Sequence, residues 1–475
     1  MTIIRQHHGL AVALALLVAA PAAAEPTVAE LQRQIDELKA MVAELKAAAG
    51  RPSPAAPVAQ AAPAAPAAAP VAMASAPAAA ATAKPAIVLT PPRRKPWYEK
   101  LTLRGYTQLR LNEIVSGDAT APAGVSRLRS IGDGNITDRN NFSFRRIRLI
   151  LQGDLNDHVS LYLQPDFATA VSGQSAGERR EGFGQLRDAY VDWFPLADHS
   201  LRLRFGQSKV PFGWENLQSS SARLALDRTD GINSAVPTER DLGVVAYYTP
   251  AQVQLIWDRL AADGQKLFGN YGAFGLALYN GQGTNRTEAN NGLMFVAMGT
   301  WPFALDGLGL DGQVFEVGGA IMRNRVQPEI RTGGVSALSY ADNRVGIHAM
   351  LYPQPIGFQA EWNWGTGPQW DEVSRSIQER PIEGGYIQAM GRVKKSPLGP
   401  FMPFARWQHY RGGFKAGINA PRLETDELEL GIEFQPTPPL ELTLTYGRAK
   451  RREADERRSG RAEGDILRAQ LQWNY

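Results

Sequence analysis

The feature that most constrains this chain is a two-residue alternation of apolar and polar side chains. Residues 440–446 read LELTLTY, and the last nine residues, 467–475, read LRAQLQWNY. Because successive side chains of a β-strand point to opposite sides, each segment has one apolar face and one polar face. The terminal segment ends its apolar face with Trp473 and Tyr475. Such strands suit a wall between lipid and water, as in a transmembrane β-barrel with an aromatic girdle.

The same alternation recurs from Trp97 to the end of the chain, for example in residues 101–112, 201–205 and 428–434. Soluble sandwiches also have alternating strands, so the prediction rests on repetition and not on one segment. The segment lengths suit the roughly 9–11 residues of a tilted membrane strand. A helical membrane protein is excluded, because no window after the first 24 residues contains the ~18 apolar residues that a membrane helix needs.

The connections between these segments alternate in length. Short turns marked by Pro, Asp or Asn are predicted near residues 154–157, 195–200, 353–355, 397–399 and 435–439. Long loops rich in Gly, Asn, Ser and Arg are predicted near residues 113–141, 169–184, 207–240, 281–291, 322–342, 366–381, 411–424 and 447–462. Outer-membrane barrels have this asymmetry, with short periplasmic turns and long outer loops.

The number of strands follows from a parity argument. Seventeen segments qualify as strands, and an odd number would leave the two ends of the barrel on opposite sides of the membrane. The weakest segment is 252–258, which directly follows Thr249-Pro250. Treating residues 250–270 as one elongated periplasmic connection leaves sixteen strands. We therefore predict that residues 97–475 form an all-β, transmembrane, sixteen-stranded antiparallel barrel in the outer membrane of a Gram-negative cell.

Three unlike regions precede the barrel. Residues 1–24 combine a basic start, an apolar run and an Ala-Ala-Ala end, which is typical of a secretory signal peptide. Residues 25–49 space their apolar side chains alternately three and four apart, from Val28 to Ala49. This heptad pattern predicts a periplasmic coiled-coil helix that self-associates, the alternative being a helix packed on its own barrel. Residues 50–96 are dominated by Ala and Pro and are predicted to be an extended linker.

Composition excludes several classes of protein. The 51 basic and 47 acidic residues are nearly balanced, which argues against a nucleic-acid partner. The absence of cysteine removes disulfides and thiolate metal sites. None of the histidines stands in a recognisable nucleophile–base setting, and neither a Gly-rich phosphate loop nor a metal-ligand spacing is present. We therefore predict that the protein is not an enzyme and has no catalytic residues, no metal and no cofactor.

Several motifs together resemble the phosphate-selective porins O and P. Residues 142–167, FSFRRIRLILQGDLNDHVSLYLQPDF, are similar to that family's double-arginine strand, short turn and returning strand. Residues 186–215 are similar to its next hairpin and to the G-Q-x-K-x-P-F-G opening of its third loop. Shorter matches lie at ERDLGV (239–244), YNGQGTN (279–285) and the ending at 465–471. The resemblance covers about residues 97–475 and implies a sixteen-stranded, trimeric porin whose channel favours anions.

The resemblance also directs attention to cations in the lumen, because members described as phosphate-selective carry an arginine ladder and lysines near the constriction. The pore-lining, anion-attracting candidates here are Arg104, Arg110, Arg146, Arg148, Arg202, Arg204, Lys209, Arg392, Arg406 and Arg468. Arginine suits this role because its planar fork meets phosphate or carboxylate oxygens in pairs. Inward carboxylates such as Asp188, Asp192 and Glu429 leave open the alternative that many of these arginines are salt-bridged wall.

The predicted function is passive diffusion of small hydrophilic solutes through a water-filled channel that favours anions such as phosphate. The alternative is a general, weakly selective porin that also tethers the outer membrane to the cell wall through its N-terminal helix. Expected partners are small anionic or hydrophilic solutes, outer-membrane lipid, further copies of the chain in a trimer and, under the alternative, peptidoglycan. Residues 207–240, the third long loop, are predicted to fold inward and constrict the channel, because sixteen strands otherwise enclose a wide lumen.

Overall fold

The computed structural model describes most of the barrel region. The described residues are 96–117, 128, 131–137, 140–170, 181–269, 271–286, 288–397 and 399–475. The predicted signal peptide, heptad helix and linker lie outside the described residues, apart from Pro96 at the end of the linker.

Within these residues the chain forms eighteen strands, sixteen of which close into one antiparallel barrel. The barrel strands are β1 Leu101–Gly117, β2 Asn141–Asn156, β3 Val159–Ala170, β4 Glu181–Trp193, β5 Leu201–Lys209, β6 Arg240–Tyr248, β7 Phe274–Tyr279, β8 Met294–Ala304, β9 Val314–Arg323, β12 Asn343–Leu351, β13 Ile356–Asp371, β14 Ser376–Gly391, β15 Phe401–Gly413, β16 Arg422–Thr437, β17 Leu440–Ala454 and β18 Ser459–Asn474. The remaining two, β10 Arg325–Val326 and β11 Tyr340–Ala341, form a separate small ladder. The predicted sixteen-stranded antiparallel barrel is confirmed.

The described chain contains five short helices, four in connections between strands and one before β1. Three are α-helices, α1 Trp214–Leu217, α2 Asp230–Ala235 and α3 Ala251–Ala262, and two are 3₁₀ helices, Trp97–Lys100 and Asp306–Leu308. None of the described helices is long and apolar enough to cross a membrane.

The barrel closes where the last strand meets the first. Strand β18 pairs antiparallel with β1, and Gln470 lies opposite Arg110. The backbone N–H of Gly105 donates to the carbonyl of Tyr475 at 2.6 Å, and the N–H of Tyr475 donates back at 3.0 Å. Pairing therefore continues to the last residue, and the alternating segment at the chain end forms one side of the seam.

Side chains alternate across the barrel wall as predicted. In β18, Arg468, Gln470 and Gln472 are buried inside, whereas Leu467 points outward and is 46% exposed. The same outward exposure of large apolar side chains occurs around the barrel, for example at Ile347 on β12. An apolar outer band with a polar interior is the arrangement of a transmembrane barrel.

The two ends of the barrel have different connections. We call one the short-turn end; its connections are residues 157–158, 194–200, 249–273, 305–313, 352–355, 392–400 and 438–439. We call the other the long-loop end. Because the strand number is even, β1 begins and β18 ends at the short-turn end, as the parity argument predicted.

Two of the predicted long loops are wrong. Strands β13 and β14 stay paired up to Asp371 and Ser376, so most of 366–381 is strand. Strands β17 and β18 likewise stay paired up to Ala454 and Ser459 within 447–462. The charged residues in these segments resemble a loop in composition, but beyond the apolar band both faces of a hairpin meet water. Strand pairing therefore continues without an apolar face.

The connection between β6 and β7, residues 249–273, is helical and folds into the barrel. The weak candidate strand 252–258 lies inside α3, so the prediction of a single elongated connection is confirmed. Helix α3 begins after Pro250, and its Val253, Trp257 and Leu260 form one buried face at helical spacing. We call residues 249–273 the plug.

We expect the buried face of α3 to be a main source of stability for the plug. Trp257 is 4% exposed, and its indole N–H donates to Glu316 Oε2 at 3.0 Å. Replacing Trp257 with Ala removes this packing and should cost about 3–5 kcal/mol. Urea unfolding of the refolded barrel in detergent measures this cost. The control is Leu255→Ala on the same helix, where the side chain is 70% exposed; equal losses for both variants would contradict the inward orientation of α3.

Candidate functional site

The connection between β5 and β6, residues 210–239, crosses the lumen, and we call it the crossing loop. It leaves the wall at β5, and its helix α2 packs against β14 and β15. In the order of strands around the barrel, β15 lies directly opposite β5. Nearly all side chains of the crossing loop are buried. The predicted inward loop at 207–240 therefore spans the barrel from one wall to the other.

The near end of the crossing loop is anchored by Lys209. Its ammonium group donates to the backbone carbonyls of Asn216 at 2.9 Å and Gln218 at 2.7 Å, at the carbonyl end of α1. The Asn216 side-chain amide donates back to the carbonyl of Val210 at 2.8 Å. A cation at this position satisfies carbonyls that a helix end leaves without partners. Lys209, although predicted as an anion-attracting residue, is thus engaged in holding the loop.

Buried ion pairs hold the crossing loop against the wall opposite β5. Glu215 lies 3.2 Å from Arg406 of β15, whose guanidinium is also 2.7 Å from Glu429 of β16. Asp230, the first residue of α2, pairs with Arg451 of β17 and accepts a hydrogen bond from the Thr425 hydroxyl at 2.7 Å. Arg406 therefore holds the loop against the opposite wall.

The middle of the crossing loop is attached to the barrel seam. Asp227 lies 2.9 Å from Arg110 of β1 and also pairs with Arg468 of β18. Asp133, from the β1–β2 loop, lies 2.6 Å from Arg110 and 2.8 Å from Arg468. We call these two carboxylates and two guanidiniums the seam latch.

The charges of the seam latch stabilise one another. Burial opposes ionisation of Asp227, but the guanidiniums of Arg110 and Arg468 outweigh it and hold the pKa of this carboxyl well below its usual range. Asp227 therefore stays ionised at pH values at which a free aspartate takes up a proton.

The plug packs against the crossing loop inside the barrel. Trp214 of the loop and Trp257 of the plug both contact Phe268, with ring centroids 5.8 and 5.3 Å apart. The surrounding apolar core includes Val314 of β9 and Phe404 of β15. An apolar core inside the lumen leaves the water-filled space on the opposite side, along β1–β5.

Ion pairs tie the plug to the short-turn end. Asp263 lies 2.6 Å from both Arg392 and Lys394, and Lys266 lies 2.8 Å from Glu433. Arg392 lies just after the end of β14, in the connection 392–400, and its side chain binds the plug and lines neither chamber.

Two chambers lie along the β1–β5 wall, one on each side of the crossing loop. The outer chamber, at the long-loop end, has a volume of about 480 Å³, and the inner chamber, at the short-turn end, about 420 Å³. Arg148 lines both chambers. The basic residues of the outer chamber are Arg145, Arg146, Arg148, Arg187, Arg223, Arg228 and Arg286. Those of the inner chamber are Arg104, Arg148, Arg202, Arg204, Lys209 and Arg240.

Most candidate arginines that line the chambers contact a carboxylate. Arg148 lies 2.7 Å from Asp166. Arg204 donates to both carboxylate oxygens of Asp192, at 2.7 and 2.8 Å, and Arg202 lies 3.8 Å from the same residue. In part, then, these arginines form the salt-bridged wall that was the alternative interpretation.

Two of the candidate arginines differ from the other candidate arginines. Arg146 donates to the side-chain oxygen of Gln108 at 2.7 Å, and Arg104 donates to that of Gln152 at 3.0 Å. Neither has a carboxylate within 4.0 Å among the residues that the structure describes. A neutral amide orients a guanidinium without cancelling its charge, so each of these two side chains keeps its full charge.

Alternation missed Arg145 because the strand is irregular there. The register between β1 and β2 shifts between Gln108 and Leu109, so that Arg145 is an extra residue in β2. Such a bulge turns consecutive side chains to the same side. Both Arg145 and Arg146 therefore line the outer chamber. The double-arginine motif was the only signal in the sequence, and it did not reveal the bulge.

Cations outside the list of pore-lining candidates surround Glu239 at the end of the crossing loop; Arg223 and Arg228 belong to the loop predicted to constrict the channel, whereas Arg187 was missed. Arg223 lies 2.8 Å from this carboxylate, and Arg187 and Arg228 each lie 3.5 Å from it. Burial opposes ionisation of Glu239, but the neighbouring cations, Lys209 first, hold its pKa well below the usual range. Because the partners come from a strand and a loop, only the folded chain brings them together. Nowhere in the described chain does a cluster of three or more His, Cys, Asp or Glu residues suit a metal ion.

A closed sixteen-stranded barrel with an apolar outer band and a charged lumen narrowed by an inward loop defines a porin. The chain belongs to the family of phosphate-selective porins O and P, whose model matches residues 122–475. It is an outer-membrane porin that forms a water-filled channel, and the short-turn end is accordingly the periplasmic end.

Solved structures of similar fold are distant in sequence. An anion-selective porin from Comamonas acidovorans is 11% identical, with a TM-score of 0.46 over 79% of this chain and 99% of that chain. Salmonella typhi OmpF, in complex with daunomycin, is 12% identical, with a TM-score of 0.49 over 80% of this chain and 98% of that chain. Pseudomonas putida OprB is 10% identical, with a TM-score of 0.46 over 79% and 94%. A comparison with curated proteins gives no match.

The seam latch predicts a strong effect of Asp227→Asn. Removing one charge of a buried ion pair leaves Arg110 and Arg468 short of a counter-charge and should destabilise the barrel by about 3–5 kcal/mol. Urea unfolding in detergent measures the loss. The control is Asp426→Asn, since the half-exposed Asp426 pairs with His409 on the outer face, where such a pair contributes about 0–1 kcal/mol. A loss as small as that of the control would contradict the role of the latch.

Proposed function

We propose that this porin favours small anions, phosphate among them, over cations. The observation that carries the proposal is the excess of basic over acidic side chains along both chambers. Among the described residues, the outer chamber is lined by seven arginines and the carboxylates of Asp166, Asp227 and Glu239. The inner chamber is lined, in the same part of the chain, by five arginines and one lysine against two carboxylates, Asp188 and Asp192. Clusters of cationic side chains are how anion pores select, and low-dielectric walls concentrate their field.

A second candidate is a general, weakly selective porin, and the many ion pairs of the wall favour it. In this case the paired arginines would serve structure alone. The surplus charge of Arg104 and Arg146 distinguishes the two candidates. Arg146 lines the outer chamber and Arg104 the inner chamber, so within the described chain each chamber has a guanidinium whose charge no carboxylate cancels.

Ion selectivity in planar bilayers tests this proposal. Under a potassium chloride gradient, the reversal potential of the wild-type channel should have the sign that indicates anion preference. The double variant Arg104→Gln with Arg146→Gln should lower the anion-to-cation permeability ratio by about threefold or more and leave the channel open. The control is Arg448→Gln with Lys450→Gln, on the outer face, where the side chains are 63% and 65% exposed.

The outcomes of this experiment separate the candidates. A permeability ratio near one that the Arg104/Arg146 variant leaves unchanged would favour the general porin. A reversal potential of the opposite sign would overturn the anion preference.

We also propose that the protein performs transport only and no chemical step. The arrangement that most resembles a catalytic group is Thr300, whose hydroxyl donates to Glu316 at 2.8 Å and lies 2.9 Å from His348 Nε2. Glu316 is fully buried and accepts further hydrogen bonds from Trp257 and Tyr352. This group is thus committed to holding the plug, and it lines neither chamber.

For the N-terminal region we propose that residues 1–24 are removed as a signal peptide and that residues 25–49 form a periplasmic coiled-coil helix. This helix would hold the barrels together as a trimer, with residues 50–96 as a spacer. The support is the alternating spacing of three and four between apolar residues from Val28 to Ala49. Attachment to peptidoglycan through the same helix is the second candidate role.

Deleting residues 25–96, with the signal peptide kept, tests both roles of this region. If the helix holds the trimer, the truncated protein should migrate as monomers on mild gels while single-channel conductance persists. If the helix is a tether, the envelope should loosen and release outer-membrane vesicles. Unchanged trimers together with normal envelope cohesion would contradict both roles.

A further inference from the structure

The inner chamber differs from the outer chamber in carrying tyrosines as well as cations. Tyr162 of β3, Tyr190 of β4 and Tyr271 of the plug line it together with Arg104 and Arg204. No tyrosine occurs among the described residues that line the outer chamber. The two chambers therefore offer different chemistry to a solute.

The tyrosines and Arg204 form one rigid stack. Tyr162 and Tyr190 face each other across β3 and β4, and their rings stack with centroids 5.0 Å apart and planes 3° apart. The guanidinium carbon of Arg204 lies 3.7 Å from the centre of the Tyr190 ring and 5.3 Å from that of Tyr271. Asp192 holds Arg204 in this position through two hydrogen bonds. Cation–π contact and ring stacking therefore fix the geometry of these groups even when no solute is bound.

The hydrogen-bonding capacity of this stack is largely unused. Among the described residues, none forms a side-chain hydrogen bond with the hydroxyls of Tyr162, Tyr190 or Tyr271. Arg204 lines the chamber beside these hydroxyls. Ser219 of the crossing loop, which is exposed, adds a further hydroxyl to the lining.

These groups suit a solute that is more than an inorganic anion. A hydroxyl both donates and accepts hydrogen bonds, whereas a guanidinium only donates. Inorganic phosphate at neutral pH mainly accepts, so guanidiniums alone are sufficient for it. A set of hydroxyls beside a cation is complementary to a molecule that carries its own hydroxyls and a negative charge. The chamber volume of about 420 Å³ lies within the range of about 300–1,000 Å³ for small-molecule sites.

We propose that the inner chamber is a binding site for sugar phosphates during their passage. The phosphate group contacts Arg204 and Arg104, and the sugar hydroxyls exchange hydrogen bonds with Tyr162, Tyr190 and Tyr271. The proposal rests on the anion preference proposed above and adds the class of solute that the inner chamber selects.

Block of chloride current in planar bilayers tests this site, with the full-length protein and three probes: glucose 6-phosphate, inorganic phosphate and glucose. Glucose 6-phosphate should block at a lower concentration than either of the other two. The triple variant Tyr162→Phe, Tyr190→Phe, Tyr271→Phe keeps the rings and the stack and removes only the hydroxyls. Its half-blocking concentration for glucose 6-phosphate should rise about tenfold or more, as expected when several hydrogen bonds are lost. Block by inorganic phosphate should change by less than about twofold.

Matched variants and separate measurements make the result decisive. Tyr248 lies on the outer face of β6 and is 45% exposed. Glucose 6-phosphate should therefore block the Tyr248→Phe channel at the same concentration as the wild-type channel. The single variant Tyr271→Phe, in the plug, should give an intermediate effect even if the triple variant fails to form channels. Glucose 6-phosphate blocking no better than inorganic phosphate, or an unchanged half-blocking concentration in the variants, would overturn the proposal. Failure of the anion preference would instead appear in the reversal potential without any sugar phosphate.

Discussion

The buried ion pairs between the crossing loop and the barrel wall determine how the lumen is used. Sixteen strands alone enclose a wide aqueous channel. Asp227 binds arginines at the seam, and Glu215 and Asp230 bind arginines on the opposite wall. Each of these charges would lose several kcal/mol of solvation energy if buried without a partner. The loop therefore crosses the lumen at the level where cations of the wall can pair with its carboxylates. At that level it divides the channel into two chambers.

The plug is held mainly by apolar packing. The crossing loop and the plug together determine which part of the lumen stays open to solutes. The plug's Trp257 and Phe268 pack with Trp214 of the crossing loop in an apolar core, while Asp263 and Lys266 form ion pairs only at its edge. Apolar packing excludes water and is not directional, whereas ion pairs fix the register of the charged loop. Because the apolar core lies against β9, β12, β14 and β15, the polar passage is displaced toward β1–β5.

Alternation predicted the barrel well because the wall itself follows a period of two. Strand β18 shows which side of the wall each side chain takes, and Arg468 is on the inner side as predicted. The pattern cannot show the partner: Arg110 and Asp227 are 117 positions apart, and only the crossing loop brings them together. It also failed at Arg145, where a bulge interrupts the period. The ends of β13 and β14 were missed because outside the lipid no apolar face is required.

The electrostatic field that each arginine contributes to the lumen depends on whether a neutral or a charged group holds its guanidinium. A carboxylate partner, as at Arg204, fixes the guanidinium and cancels most of its long-range electrostatic field. Such a guanidinium acts on a solute only at short range. An amide partner, as at Arg104 and Arg146, fixes the guanidinium and leaves its field intact. In the function proposed here, selection by charge depends most on such amide-held arginines. In the proposed sugar-phosphate site, selection by shape and hydrogen bonding depends on the carboxylate-held Arg204 and the tyrosines stacked beside it. On both proposals the channel distinguishes solutes of equal charge, because the tyrosine hydroxyls of the inner chamber respond to the hydrogen-bonding groups of a solute and not only to its charge.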